Sequence, residues 1–546
     1  PRREIHVFTD LQATSSPSLP PGKRRLLRSR LAEQSPRPTI SIVDCGQEEA
    51  TNRTVSRLTV PDLAVAIDEP VELRCEFTVW GESPGPLLVR IHVDGELVAQ
   101  ESVEVAGDGR ARLAVKHRFR TPGWKEVRVS LPADRLPEDD SRHVVLPVRE
   151  RIDVLLVETP SGPRNRESGR RFYQAAWPRV PGMETPQSVL RPRRVRSLAG
   201  GTGGADVVVL ADLPGFSPRE AALLESHLKE GGGIIVFCGE AVDADLYNER
   251  FFRGGRGFLP VQLTERSRVP RSRPLHPVDV DLLHPVLDVF AGAEQGDLEL
   301  VEVYAHWKTG TRAPGVEVLA AVGSDTPWLL ERRYGKGRTL LLGSSAVEDD
   351  SDLPLTPLFP PLVHRLVKYA AGGRDAPRSR LVGERLRWTL PPRLVDPGPT
   401  PELFVRDPSG AQHEIRLGTS SGEPLVAEFQ DPAEPGFYRL EVRGEPALRI
   451  PRAVNLPAAE SRLQRIDPGE LSALEATLGI RHREVGSPPT LSREERRIDV
   501  EYWPHAAWAA LILLFGELIL LRSFAPSSPP PAAPRRAAVS KVGGPS

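Results

Sequence analysis

Hydrophobic positions follow one period in some blocks of this chain and another period elsewhere. From residue 52 to about 150, apolar and polar residues alternate, as in 71–77 (VELRCEF) and 88–93 (LVRIHV). That period predicts strands with one buried face, and Asp94-Gly95 between 93 and 96 predicts a hairpin turn. Segments 109–115 (GRARLAV) and 124–130 (WKEVRVS) keep the alternation. Short alternating strands at spacings of roughly 10–15 residues predict an immunoglobulin-like sandwich. At 152–157 (IDVLLV), 206–210 (DVVVL) and 234–237 (IIVF) the pattern becomes continuous and apolar. Such runs predict strands covered on both faces, as in a mostly parallel sheet.

Between those runs, Pro218 to Glu230 carries Leu223, Leu224 and Leu228 at helical spacing, with Ser217 as the predicted N-cap. Tyr334 to Gly337 (YGKG) predicts a turn between two strands, and a helix is predicted from about Pro360 to Ala371. Residues 151–373 thus read as one flavodoxin-like α/β domain. Alternation returns in 384–390, 402–406 and 436–442, which predicts a second β-sandwich over 374–456. At the start of the chain, 4–8 (EIHVF) and 39–43 (TISIV) are two short strands with a helix-length gap, the last part of an α/β domain over 1–50.

One segment differs in hydropathy. Residues 506–521 form a 16-residue run with one charge, Glu517, flanked by Trp503 and Phe524. Counted over 503–524, it predicts a transmembrane helix of roughly 33 Å, after a juxtamembrane segment over 457–502 and before a disordered tail over 525–546. Arg522, Arg535, Arg536 and Lys541 follow the run, against Arg493, Arg496 and Arg497 before it. This bias predicts a cytoplasmic tail with the body of the chain on the far side of the membrane. Pro is the first residue and Met183 the only methionine, so further upstream sequence is expected.

Composition narrows the function. With 72 basic and 73 acidic residues among 546, the chain is not built to hold nucleic acid through bulk charge. Its three cysteines are too few for a disulfide framework or a four-thiolate zinc site. The glycines of 200–204 precede a strand and do not open a helix, so a phosphate cradle is not predicted. Cys238 ends a buried strand ahead of Gly239-Glu240, where a nucleophile could stand if a His and a carboxylate reached it. Asp10, after Thr9 at the end of the first strand, could reach a metal.

Several segments carry a family resemblance in chain order: 3–12 (REIHVFTDLQ), 52–58 (NRTVSRL), 136–140 (LPEDD), 231–237 (GGGIIVF), 334–338 (YGKGR), 352–355 (DLPL) and 453–456 (AVNL). Together they resemble the bacterial Bat-type, aerotolerance regulator-like membrane proteins. That resemblance implies the end of a von Willebrand factor A domain, a sandwich, a class I glutamine amidotransferase-like domain and a C-terminal span in the bacterial inner membrane, with the bulk of the chain periplasmic. In that family the residue matching Asp10 helps to hold a divalent metal such as Mg²⁺ with upstream residues; Leu11 stands where the family has Gly. The amidotransferase elbow Gly-x-Cys-x-Gly reads Val236-Phe-Cys-Gly-Glu240 here, and 343–350 (GSSAVEDD) lacks the family's His-x-Glu pair. The expected function is a non-catalytic, membrane-anchored protein that mediates protein–protein contacts at the bacterial envelope, its partners being other membrane or envelope proteins and the lipid bilayer. The alternatives are a Cys238-dependent amidase or amidotransferase and a metal-dependent adhesion module acting through Asp10.

Overall fold

A computed structural model describes residues 4–13, 21–35, 38–46, 51–60, 63–81, 85–158, 163–177, 189–291, 297–374, 379–390, 402–415, 417–418, 426–443, 445–484 and 503–523. Among the described residues strand outweighs helix, so the fold is mostly β, a correction to the expected multidomain α/β and all-β class. It divides into two compact units.

The smaller unit contains Pro1–Thr9, Arg24–Cys45 and Leu474–Ser546. Its sheet has three parallel strands, Glu4–Thr9, Thr39–Asp44 and Arg481–Glu484, with Thr39–Asp44 in the centre. The third strand lies in the stretch that the sequence reading assigned to a juxtamembrane segment. RHRE is short and charged, so hydropathy gave no reason to expect a strand there. The last helix of this unit is Trp503–Ser523.

That helix is not the membrane span the hydropathy predicted: no helix among the described residues is long and apolar enough to cross a membrane. The reason is run length. The apolar stretch 506–521, interrupted by the exposed Glu517, rises about 24 Å, against roughly 30 Å of hydrocarbon. Counting Trp503 and the polar flanks as part of the span overstated its reach. The inner-membrane location and the periplasmic bulk were inferred from the span and are corrected with it.

The larger unit contains Asp10–Lys23 and Gly46–Ala473. Its first sandwich has a five-stranded sheet, in the order Val65–Ala66, Ser141–Arg149, Gly123–Ser130, Leu87–Val93, Glu96–Val103. A three-stranded sheet, Asn52–Thr59, Pro70–Trp80, Arg110–Arg118, packs against it. Leu73, Phe77, Val89, Ile91, Val127 and Val129 fill the space between, which fixes the register because a one-residue slip would expose all of them. Asp94 (φ 51°) and Gly95 (φ 89°) form the two-residue turn between Val93 and Glu96, both in the left-handed region that a tight hairpin needs.

Residues 152–374 build an eight-stranded sheet. Five parallel strands run in the order Leu190–Val195, Ile152–Val157, Val207–Ala211, Gly233–Phe237, Gly337–Leu342; Thr326–Tyr334, Val316–Val322 and Pro277–Val278 extend it antiparallel. The parallel part has the 2-1-3-4-5 order of a doubly wound sheet. Helices Pro163–Ala176 and Phe359–Ala371 cover one face through Phe172, Leu362, Val363 and Leu366. Helix Pro218–Lys229 covers the other through Leu224 and Leu228. Ser217 caps that helix, accepting from the Glu220 amide while the Glu220 carboxylate accepts from Ser217 N–H, a complete capping box.

The second sandwich pairs a five-stranded sheet, Ser379–Leu381, Glu445–Asn455, Gly436–Val442, Leu403–Arg406, Gln412–Ile415, with a three-stranded one, Leu386–Thr389, Val426–Phe429, Leu417–Gly418. Trp388 is fully buried at its centre and donates its indole N–H to Ile450 O at 2.8 Å. That bond satisfies the one polar atom of a large apolar side chain.

Candidate functional site

The two sandwiches of the larger unit meet along a cleft. Its floor is the outer face of the five-stranded sheet of the first sandwich. Because Ile91, Val93, Val127, Val129 and Val144 point into the core, the alternating positions His92, Arg128 and His143 point out. Register sets them in one row: Arg128 lies directly opposite His92 on one neighbouring strand and opposite His143 on the other. The facing wall comes from the second sandwich, with Pro408, Glu434, Pro435, Gly436, Phe437 and Arg439. The space between is about 640 Å³.

Three contacts fix the two walls. Arg439 donates from Nε and Nη2 to the two oxygens of Glu126, both at 2.6 Å, a bidentate pair. Asn455 accepts from His143 N–H at 2.7 Å and returns a bond from Nδ2 to His143 O at 2.9 Å. The Phe437 ring meets the His143 ring edge-on, with centroids 4.9 Å apart. The cleft is therefore held by bonds that run across it.

Its electrostatics follow from burial and from Arg128. Burial, then the neighbouring Arg128 charge, pushes His143 down to about 4. Burial, Arg128 and Arg90 also lower His92. Both imidazoles are neutral at pH 7, which leaves Arg128 as the charge of the row. Arg128 is exposed and makes no ion pair among the described residues, while Glu138 and Glu434 stand exposed on opposite lips. This arrangement offers one cation, two carboxylates, an aromatic ring and backbone groups to a bound polar segment.

The C-terminal end of the parallel sheet, where doubly wound folds bind ligands, is closed by contrast. Cys238 follows the strand Gly233–Phe237 and is fully buried among aliphatic and aromatic side chains. Burial, and then the nearby Asp212 charge, raise its thiol well above the ordinary range. Cys238 is thus placed as a packed, protonated side chain. Asp212, 1% exposed and at φ 55°, is pushed up to about 6 by burial and accepts from Ala241 N–H at 3.0 Å. Gly239 must be glycine here, since a Cβ would lie 2.5 Å from the Asp212 carboxyl carbon. Arg266 pairs with the buried Asp350, which also accepts from Ser345 N–H at 3.1 Å and Ser345 Oγ at 2.7 Å. Trp307 seals the end by donating to Gly239 O at 2.9 Å. Arg266 and Trp307 sit on the antiparallel pair Val261–Arg268 and Ala305–Arg312, which the sequence reading passed over. Alternation in 261–265 (VQLTE) was the available signal.

Asp10 is exposed, and its Oδ1 accepts from Gln12 N–H at 3.2 Å. It belongs to neither of the two groups of His, Cys, Asp and Glu close enough to hold an ion among the described residues. One of those groups is His284, Glu317 and Glu331. There His284 Nδ1 accepts from Val286 N–H at 3.2 Å, which places the ring proton on Nε2, donated to Glu331 Oε2 at 3.1 Å. Tyr369 donates to the same oxygen at 2.7 Å. The imidazole is thereby committed as a donor, and the group reads as a buried hydrogen-bond network.

Comparison with known proteins gives little beyond this. No family model matches the chain, and no curated protein matches it. Among solved structures, a cytoplasmic protein from Salmonella typhimurium is 12% identical, covering 40% of this chain and 98% of its own, with a TM-score of 0.30. A ThuA-like protein from Bacteroides uniformis is 12% identical, covering 40% of this chain and 91% of its own, with a TM-score of 0.30. A CARDB domain from Pyrococcus furiosus is 15% identical, covering 18% of this chain and 90% of its own, with a TM-score of 0.17. At such scores these likenesses carry no argument about function. Neither a family model nor a curated protein supports the expected von Willebrand A and Bat-type resemblance.

Proposed function

We propose that this chain is a non-catalytic binding protein that seats an extended, polar stretch of a partner polypeptide in the cleft between its two β-sandwiches. The observation that carries the reading is the contrast in access. The exposed, unpaired Arg128 and the exposed Glu138 and Glu434 line an open cleft, while Cys238 and Asp212 are closed off beneath Trp307. A polypeptide suits such a cleft because its amides can bond to the walls while charged side chains meet Arg128 and the two lip carboxylates.

The experiment is a displayed-peptide selection on the full chain, followed by affinity measurement on Arg128→Glu and Ser141→Trp. Selected peptides should lose at least about tenfold in affinity in both variants, since one reverses the charge of the row and the other fills the floor. Peptides that bind both variants as tightly as the unaltered chain would place recognition elsewhere and overturn the reading. The non-catalytic part has its own check. Cys238 in the folded chain should react with iodoacetamide at neutral pH far more slowly than after unfolding, because the nucleophile is the thiolate. Alkylation of native Cys238 at the rate of a free thiol would restore the amidase alternative.

A further inference from the structure

The loop joining Gly123–Ser130 to Ser141–Arg149 carries Asp134, Asp139 and Asp140, and each offers an oxygen within 4.8 Å of the others. Clustering alone would describe many solvated acidic loops. A separate observation distinguishes this one. Asp139 and Asp140 are 4% and 5% exposed, and each has one oxygen, Oδ1, that is buried and without any hydrogen-bond partner. The other oxygens are occupied: Asp139 Oδ2 accepts from Asn52 Nδ2 at 2.8 Å, and Asp140 Oδ2 from Asp134 N–H at 2.9 Å. Asp134 is held from both sides, accepting from Arg53 N–H and Leu136 N–H, each at 2.8 Å.

Charge makes the same point. None of the three carboxylates is ion-paired with a Lys or Arg among the described residues, and Arg53 acts on Asp140 only through space. Two buried carboxylates with a third beside them, and no cation, are costly to ionise in a low-dielectric setting.

We propose that Asp134, Asp139 and Asp140 hold a divalent cation of the hard, oxygen-binding class, Ca²⁺ being the ion that fits. Carboxylate oxygens are the ligands such ions take, and Ca²⁺ accepts irregular oxygen shells that Mg²⁺, with its strict octahedron, does not. The ion supplies the partner that both Oδ1 atoms lack and removes two of the three negative charges. It also ties the loop to the strand Asn52–Thr59, since Asn52 and Thr54 already bond to Asp139. Pro137 and Glu138 of the same loop line the cleft, so the ion fixes part of that wall. The site stands whether or not the cleft holds a polypeptide.

The test uses the full chain, stripped with EGTA and titrated with CaCl2 by isothermal calorimetry, with thermal unfolding followed in parallel. Saturable binding of one ion per chain is expected, with a rise in the unfolding midpoint of about 2 °C or more at saturation. Asp139→Asn and Asp140→Asn should abolish both responses. Asp134→Asn, at a partly exposed position, should weaken Ca²⁺ binding at least about tenfold. No binding heat and no midpoint shift up to about 5 mM Ca²⁺ overturns the proposal, since a site of this class binds at or below that range. An undiminished response in Asp139→Asn and Asp140→Asn overturns it as well, and a stronger response to MgCl2 than to CaCl2 overturns the choice of ion.

Discussion

The closed end of the parallel sheet and the open cleft between the sandwiches use the same side-chain chemistry to opposite ends. Both hold carboxylates and arginines. At the sheet end each charged group is answered within the fold: Arg266 by Asp350, Asp350 by Ser345, Asp212 by the Ala241 amide. In the cleft, Glu126 and Arg439 answer each other across the gap, while Arg128, Glu138 and Glu434 remain turned to solvent. Satisfied and buried, such groups specify a packing; unsatisfied and exposed, they are available to a partner. Position in a fold that often hosts active sites is thus weaker guidance than whether the polar groups there still have valence to offer.

The contrast is broken most directly at Arg266. Arg266→Ala leaves Asp350, whose side chain is 4% exposed, charged and without its cation. Breaking a buried pair from one side costs about 3–5 kcal/mol, so urea unfolding should show a loss of that order. A change below about 1 kcal/mol would mean that the sheet end is wetter than its packing indicates.

A smaller effect separates the regions by pH. Asp212 folds with its carboxyl raised from 3.8 to about 6, so between those values the native state holds a proton that the unfolded state has released. Its contribution to stability is present below pH 4 and is lost as pH rises through about 6. His143 is lowered from 6.5 to about 4, so in that window the unfolded state binds the proton instead. Its contribution is present above pH 6.5 and is lost as pH falls towards 4. Integrated across its window, each contribution amounts to about 3 kcal/mol. Asp212→Asn should remove the fall toward neutral pH, and His143→Gln the fall toward acid, in unfolding measured from pH 4 to 8. Parallel curves for the two variants would contradict the assignment of opposite environments.

The smallest expected effect is on the stability of Arg128→Glu. With an exposed guanidinium that makes no ion pair, the variant should unfold within about 0.5 kcal/mol of the unaltered chain while losing peptide affinity. A large destabilisation would show that Arg128 supports the sheet and would turn the cleft from a binding surface into a structural seam.

Much of the local structure was legible from residue order because the relevant forces are local. Alternation in 71–77 and 88–93 placed the core-facing residues, Asp94-Gly95 placed the hairpin, and Ser217 with Glu220 placed a helix start. Hydropathy failed at 503–524, where a count that included polar flanks stood in for an apolar length that the helix lacks. It failed again at 481–484, where a strand of charged residues is held by its backbone pairing to Thr39–Asp44 and not by side-chain burial. The pair Val261–Arg268 and Ala305–Arg312 escaped notice because its partners lie some forty residues apart and pair through bulges.

The candidate site was less legible than the fold. Cys238 and Asp10 were singled out because of the residues next to them in sequence, and three-dimensional placement gave each a different setting: Cys238 sealed in an aliphatic cluster, Asp10 exposed beside Gln12. His92, Arg128 and His143 are separated by 36 and 15 positions in the chain, and only strand register sets them in a row. Asp134, Asp139 and Asp140 are close in sequence, but Asn52 comes to them from 87 residues away. Sequence by itself determined what depends on neighbours one to four residues apart: strand and helix periods, the turn, the cap, and the absence of bulk charge for nucleic acid. Tertiary structure alone decided which polar groups would be buried, paired or left over. Desolvation and pairing act between residues brought together by folding, and no local period encodes them.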